Sequence, residues 1–520
     1  MTRFFGRPWT KLVWVVLALV AGFVILGRCS RLPSIAGRTT SSVILDTAGT
    51  QLGRSLTPLL AGHPGVSGIH TLRDARDAFA VRYLLASHAQ RTLDVQYYIW
   101  RNDLAGTLLM KALIDAADRG VRVRFLLDDN NTAGLDPALA ALDSHPRIEV
   151  RLFNPFVIRK PRLAGYLTDF RRLNRRMHNK SFTADNQVTV IGGRNVGDEY
   201  FGATDGVLFA DLDVIGIGPV VSEVSRDFDR YWASGSSYPA DRVLPAADGA
   251  ASRELSATAG RVAQEPAAVA YLKAVRDSSF VSQFTAHTLP FEWAVTRLIS
   301  DPPAKALGGA ARGDLLAHRF REIFGSPMAE VVVVSPYFVP GSRGVELFSG
   351  WAKRGVRVRV LTNAFESTDV TVVHAGYAKR RVALLEAGVT LYELRRTTGA
   401  RPERSSGSFG SSGSSLHAKT FAVDRARIFI GSFNFDPRSA ELNTEMGFVI
   451  DSPALAGRVA QAFDNAVPRN AYEVTMSGGN LQWLERDGSN LIRHRTEPGT
   501  DFWTRIGLKF LSTLPIEPLL

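Results

Sequence analysis

The sequence predicts an α/β protein of two lobes related by a pseudo-twofold axis, behind an N-terminal hydrophobic segment. Each lobe is expected to be a mixed, largely parallel sheet flanked by helices. Three observations carry this reading. Strand-period and helix-period segments alternate, the order that builds parallel crossovers. The hexapeptide at residues 119–124 returns at residues 354–359, 235 residues later, and a longer motif at His178 returns at His417, 239 residues later. Two landmarks at nearly one offset mean an internal duplication. The third observation is an uncharged run near the N-terminus.

The chain has 520 residues, 45% hydrophobic and 22% charged, enough for two or three domains with proper cores. A net charge of +12 favours anionic partners, either phospholipid headgroups or nucleic acid. Cys29 is the only cysteine, which excludes an intrachain disulfide and a thiolate metal cluster.

Arg3, Arg7 and Lys11 precede the uncharged run at residues 12–27, and Arg28 closes it. A helix of that length rises about 24 Å, short of the roughly 30 Å hydrocarbon core. Trp9 and a snorkelling Lys11 extend its reach. A retained anchor, a cleaved signal peptide and lipidation at Cys29 are the three readings. Arg28 is not the small residue that lipidation wants before the cysteine. Residues 1–30 are therefore expected to attach the chain to a membrane, with the body on the exported side. Residues 31–71, punctuated by Ser, Gly and Pro, are expected to form a tether and entry segment.

The first lobe is expected at residues 72–235. A helix over residues 75–90 precedes a strand at residues 92–100, which alternates apolar and polar. A helix over residues 108–119 then leads to a strand at residues 120–127. In the hexapeptide, Gly120 ends the helix, the valines turn inward and the arginines are expected to point outward. Residues 236–266, rich in Ser, Ala, Gly and Pro, suit a linker. The second lobe is expected at residues 267–470, with an apolar strand beginning at Glu330. A serine-glycine stretch at residues 405–415 stands just before His417 as a loop able to gate a site. Residues 471–520 are expected to form a covering extension.

The repeated motif reads H-x-K-x-x-x-x-D. Its first copy carries His178, Lys180 and Asp185; its second carries His417, Lys419 and Asp424. Each runs through an apolar strand into a glycine turn: Gly192-Gly193-Arg194-Asn195 in one copy and Gly431-Ser432-Phe433-Asn434 in the other. Asn195 and Asn434 each follow their histidine by seventeen residues. A single motif of this length is weak evidence; two with matched turns are strong. The pattern resembles that of the phospholipase D superfamily over most of the chain.

Histidine suits nucleophilic or proton-transfer work near neutral pH. Residues two apart on a strand face one way, so His178 projects with Lys180 and His417 with Lys419. A pseudo-twofold axis then lets two imidazoles flank one phosphate, with the ammonium groups on its oxygens. Asn195 and Asn434 are expected to donate further hydrogen bonds, stabilising developing charge without a metal or cofactor. The resemblance implies a phosphohistidine on His178, with His417 as acid and base. It also implies an acidic residue on the strand after each turn to orient each histidine. Glu445 fills that place in the second copy and Asp211 in the first, with Asp213 as the fallback. Asp185 and Asp424 are expected to brace the site by hydrogen bonding. Arg194, where the first turn departs from G-S-x-N, is expected either to contact phosphate or to face solvent.

Residues 361–369 and 374–377, with 335–341 and 436–439, look like bacterial cardiolipin synthases of the type with one N-terminal hydrophobic segment. That likeness implies transfer of a phosphatidyl group to phosphatidylglycerol, with phospholipids and a membrane surface as partners. Tyr377 and Asp369 are candidate headgroup contacts, or else pack the lobe interface. Hydrolysis to phosphatidic acid is the alternative, since the same histidines serve both outcomes. A nuclease fits the charge but not the membrane-directed N-terminus, and no nucleic-acid-binding module is visible, so no nucleic acid is expected. A lipid-binding scaffold with vestigial motifs is the non-enzymatic alternative.

Overall fold

A computed structural model describes residues 13–14, 16–17, 31–204, 208–396, 414–514 and 517. Most of the N-terminal hydrophobic segment, Cys29 and residues 405–413 of the serine-glycine stretch lie outside the described residues. Among the described residues no helix is long and apolar enough to cross a membrane.

The first half contributes strands β1 (Ser67–Leu72), β2 (Thr92–Ile99), β3 (Arg122–Asn131), β4 (Ile148–Phe153), β5 (Ser181–Ala184), β6 (Val188–Gly192), β7 (Leu208–Ala210), β8 (Asp213–Ile217) and β9 (Ser237–Pro239). The second half contributes β10 (Glu292–Ser300), β11 (Glu330–Val334), β12 (Arg357–Asn363), β13 (Thr390–Leu394), β14 (Ser414–Leu416), β15 (Thr420–Val423), β16 (Arg427–Gly431), β17 (Met446–Asp451), β18 (Ala471–Ser477), β19 (Asn480–Asp487) and β20 (Asn490–His494). The pairings read 9-4-3-2-5-6-8-1 in one half and 10-17-16-15-11-12-13-18 in the other. Read from its other end, the second order repeats the first strand for strand, which is the duplication seen in the sequence. β1 and β10 pair antiparallel and join both halves into one sheet. β19 and β20 extend its far edge.

The sheet is mixed. Parallel pairing belongs to the triplets β2–β3–β4 and β11–β12–β13, and antiparallel strands make up the rest. Each triplet begins with the expected crossover. The helix Leu104–Asp118 starts at Asp103, whose side chain caps Gly106 N, and ends before Gly120 at φ 97°. Its counterpart Gly341–Lys353 ends before Gly355 at φ 85°. Both glycines hold a left-handed turn that a side chain resists, and a strand follows each.

Arg119, Arg354 and Arg357 of the hexapeptides are exposed as expected, but the last arginine of each copy departs from expectation. Arg124 is buried, forking onto both oxygens of Asp94 at 2.7 Å and reaching Asp229 at 2.7 Å. Arg359 is buried on Glu330 and Asp464. Asp94 stands beside Arg124 in the β2–β3 register, so the charged residue on the apparent polar face of β2 is an internal ion-pair partner. Period-two alternation reads as one wet face, but here both faces are covered.

Residues 236–266 contain β9, paired with β4, and a helix, Gly249–Val262, lying on first-half helices. Residues 471–520 supply β18 to β20 and a helix, Phe502–Thr513, packed on the helix Thr371–Ala378. Separate apolar cores fill each half. A third core spans both, bringing Ile69, Ile191 and Val214 together with Val332, Ile430 and Phe448.

Candidate active site

The two motifs meet where the halves exchange backbone. His178 N donates to Thr444 O at 2.9 Å, and Met177 bridges to Thr444. His417 N donates to Ala210 O at 2.8 Å, and Leu416 of β14 pairs with Ala210 of β7. The residue before each histidine is thus paired with the residue before the opposite half's carboxylate.

The side chains follow. Glu445 Oε2 lies 2.9 Å from His178 Nδ1, and Asp211 Oδ2 lies 2.5 Å from His417 Nδ1. The first half's histidine is therefore oriented by the second half, and the reverse. A carboxylate on Nδ1 fixes ring and tautomer and leaves Nε2 as the working nitrogen. Glu445 is held by Ser432 Oγ at 2.5 Å and Ser439 Oγ at 2.8 Å. Lys180 Nζ donates to His178 O at 2.6 Å, and Lys419 Nζ to His417 O at 2.5 Å. Each ammonium, with three donors, keeps capacity for a substrate oxygen.

Electrostatics place both rings in one neighbourhood. Burial drives His178 well below the usual histidine range, and the charges of Lys180, Lys419 and His417 act in the same direction. Burial and Lys419 lower His417, against the pull of Asp211. Burial drives Lys180 well down and Lys419 to about 8. Burial raises Glu445 to about 7 despite Lys180 and the serine hydroxyls. Asp211 is equally buried, yet His417, Lys419 and Arg194 hold it below the ordinary carboxylate range.

Other expected residues lie elsewhere or act differently. Asp185 accepts from the backbone N–H groups of Gln90, Arg91 and Thr92. Asp424 does the same for Met328, Ala329 and Glu330. Each ties the entry of β2 or β11, the end of the sheet away from the histidines, so neither reaches the reacting groups. Asn195 Oδ1 accepts from Ile99 N and its Nδ2 donates to the Tyr200 hydroxyl, so its carboxamide serves the fold. Asn434 differs: its Oδ1 is buried without a partner.

Arg194 neither contacts phosphate nor faces solvent. It is buried, donating to the carbonyls of Leu72, Arg73 and Asp211. Asp213, the fallback, is taken by Arg82 at 2.8 Å. Tyr377 is buried in the second half's own core, its hydroxyl on Glu393 at 3.0 Å. Asp369 is exposed, accepts from the Tyr337 hydroxyl at 2.7 Å, and its charge reaches Lys419.

Gly193 stands where the second copy has Ser432. A Cβ there would lie 2.1 Å from Asp211 Oδ1, so the glycine clears the carboxylate's seat. Sequence reasoning missed the aromatic walls: Tyr98 meets His178 edge-on at 4.9 Å, while Tyr200 and Phe209 lie 5.3 and 5.1 Å from His417. The only signal was an aromatic run closing β2.

Residues 84–232 and 321–467 match the family described as "Cardiolipin synthase, PLD-like domain", one segment per half. Cardiolipin synthase C of Escherichia coli (strain K12) is 49% identical, covering 90% of this chain and 100% of its own length. An uncharacterised protein of Helicobacter pylori (strain ATCC 700392 / 26695) is 31% identical, over 92% of this chain and 95% of its own. The crystal structure of phosphatidylserine synthase from Haemophilus influenzae Rd KW20 superposes with a TM-score of 0.57 at 13% identity, covering 90% of this chain and 100% of that one. That likeness is one of fold.

Proposed function

We propose, because this chain belongs to the cardiolipin synthase, PLD-like domain family, that it transfers a phosphatidyl group from a phospholipid donor to the terminal hydroxyl of phosphatidylglycerol, making cardiolipin. The observation that carries the assignment of roles is the crossed pair of histidine–carboxylate contacts with opposite charge bias. His178, driven toward the neutral ring, is the nucleophile. His417, on a carboxylate held ionised, is the acid and then the base.

His178 Nε2 attacks phosphorus while the bond to the leaving headgroup oxygen breaks and His417 gives that oxygen its proton. The phosphatidyl group is then on His178. The acceptor hydroxyl passes its proton to His417 and attacks phosphorus, expelling the neutral His178 ring. Lys180 and Lys419 balance charge on the non-bridging oxygens throughout, and Asn434 is a further donor. Asp211 and Glu445 position the rings. Both histidines are buried, which limits water at the intermediate and favours an alcohol acceptor over hydrolysis.

Residues 12–27 anchor the chain in the bacterial membrane, with the body on the exported side; the uncharged run after Arg3, Arg7 and Lys11 supports the attachment, while basic residues on both flanks set no side. The decisive experiment supplies labelled phosphatidylglycerol with and without phosphatidylethanolamine and resolves the lipid products. Cardiolipin supports transfer, phosphatidic acid alone supports hydrolysis, and DNA cleavage without lipid turnover would mean a nuclease. His178→Ala is expected to abolish turnover; unchanged function in that variant would leave only a scaffold.

A further inference from the structure

The helix Leu163–Leu173 stands immediately before the first motif, and its two faces differ. Inward, Gly165 and Leu173 are buried, and the Tyr166 hydroxyl donates to Asn130 Oδ1 at 2.9 Å, at the C-terminal end of β3. Asn130 Nδ2 lies 3.4 Å from the hydroxyl of Tyr98, whose ring packs on His178. Outward, Leu163 is 77% exposed, Leu167 70% and Phe170 50%. Leu163 and Leu167, four residues apart, share one face and make the stripe; the helix then kinks at Asp169 (φ −146°, ψ 42°) before the exposed Phe170. Exposed Lys160 and Arg171 flank it, and neither has an ion-pair partner among the described residues.

A second stripe lies on Phe502–Thr513. This helix turns Leu508 inward, toward the helix Thr371–Ala378, and leaves Phe502, Trp503, Ile506 and Phe510 outside, with Lys509 exposed beside them. Thr371–Ala378 follows Asp369, beyond the C-terminal end of β12. One apolar stripe from each half therefore stands at the histidine end of the sheet.

A water-facing surface rarely groups large apolar side chains in this way. Leucine and aromatic stripes rimmed by cations insert at headgroup depth, where the cations meet anionic lipid. We infer that the two stripes lie in the interface of an anionic phospholipid bilayer and present the histidine end of the sheet to the leaflet that holds its substrate. The inference rests on the phosphatidyltransferase reading. The unpaired cations and the +12 charge favour an anionic bilayer over a second copy of an equally basic chain.

The full chain with Cys29→Ser tests this. It carries one fluorophore, at Leu167→Cys, at Trp503→Cys or, on the edge strand β20, at Leu491→Cys. The vesicles are phosphatidylcholine with phosphatidylglycerol and contain lipids with a shallow quencher. Several-fold quenching at positions 167 and 503, with none at 491, is expected. Vesicle-bound chain unquenched at 167 and 503 overturns the inference, as does energy transfer between labelled copies in place of quenching. The double variant Leu163→Ser with Leu167→Ser is expected to raise KM for vesicle phosphatidylglycerol about tenfold or more. Its kcat on soluble short-chain phosphatidylglycerol is expected to stay unchanged. Quenching without lipid turnover would sink the enzymatic reading and leave the docking surface standing.

Discussion

Asp211 and Glu445 occupy equivalent places and are pushed in opposite directions. Asp211 stays ionised under the charges around His417, while burial carries Glu445 to about 7. The two neutralising variants should therefore behave unequally. Asp211→Asn removes the negative charge that raises His417, so that ring loses its proton at lower pH. The basic limb of kcat/KM moves down, and its maximum falls on the order of a hundredfold to ten-thousandfold. Glu445→Gln mimics a state that Glu445 already populates below about 7, so its penalty there should be roughly tenfold and should grow as pH rises. A pH profile of both variants on one lipid substrate checks this. Equal losses at every pH would contradict the division of roles between the two histidines.

Turns and strand ends separate the motif residues gathered around the two histidines from those that hold the sheet. Asp185→Asn should weaken the ties to three backbone N–H groups and cost about 2–3 kcal/mol in denaturant unfolding. Turnover per folded molecule should change little, because the carboxylate lies away from His178. Gly193→Ser should do the opposite, displacing Asp211 and lowering kcat with a stability loss of about 1–3 kcal/mol. Ser432→Ala, at the equivalent position, removes one hydrogen bond to Glu445 and should be milder. The duplication, the crossovers and the pairs His178/Lys180 and His417/Lys419 were legible because they recur at fixed spacing. Asp211 and Glu445 were legible through the family resemblance, but not which histidine each serves, since that depends on how the halves exchange backbone. Arg194 and Arg124 were misread for one reason: an arginine in a polar-looking position says nothing of the carbonyls or carboxylates folded around it. The tie of Asn195 to Tyr200 was not legible either, Tyr200 being a residue the motif does not include.

At the scale of the whole molecule, the site exists only because the halves form one body. β1 pairs with β10, Met177 with Thr444 and β14 with β7, and a shared apolar core lies under these joints. Phe448, fully buried in β17 of the second half, packs on Gly216 of β8 in the first, where an added Cβ would come within 3.1 Å of its ring. Two lobes with separate cores could unfold in two steps. A continuous sheet with a common core should instead unfold in one, because opening either half strips apolar surface from the other. Phe448→Ala should cost about 3–5 kcal/mol. It should move a single calorimetric transition downward as a whole, with loss of lipid turnover on heating tracking the same midpoint. A second peak split off by that substitution, with the other half still folded, would mean that the halves are energetically independent. The crossed histidine–carboxylate pairs would then be a contact between two bodies instead of the centre of one.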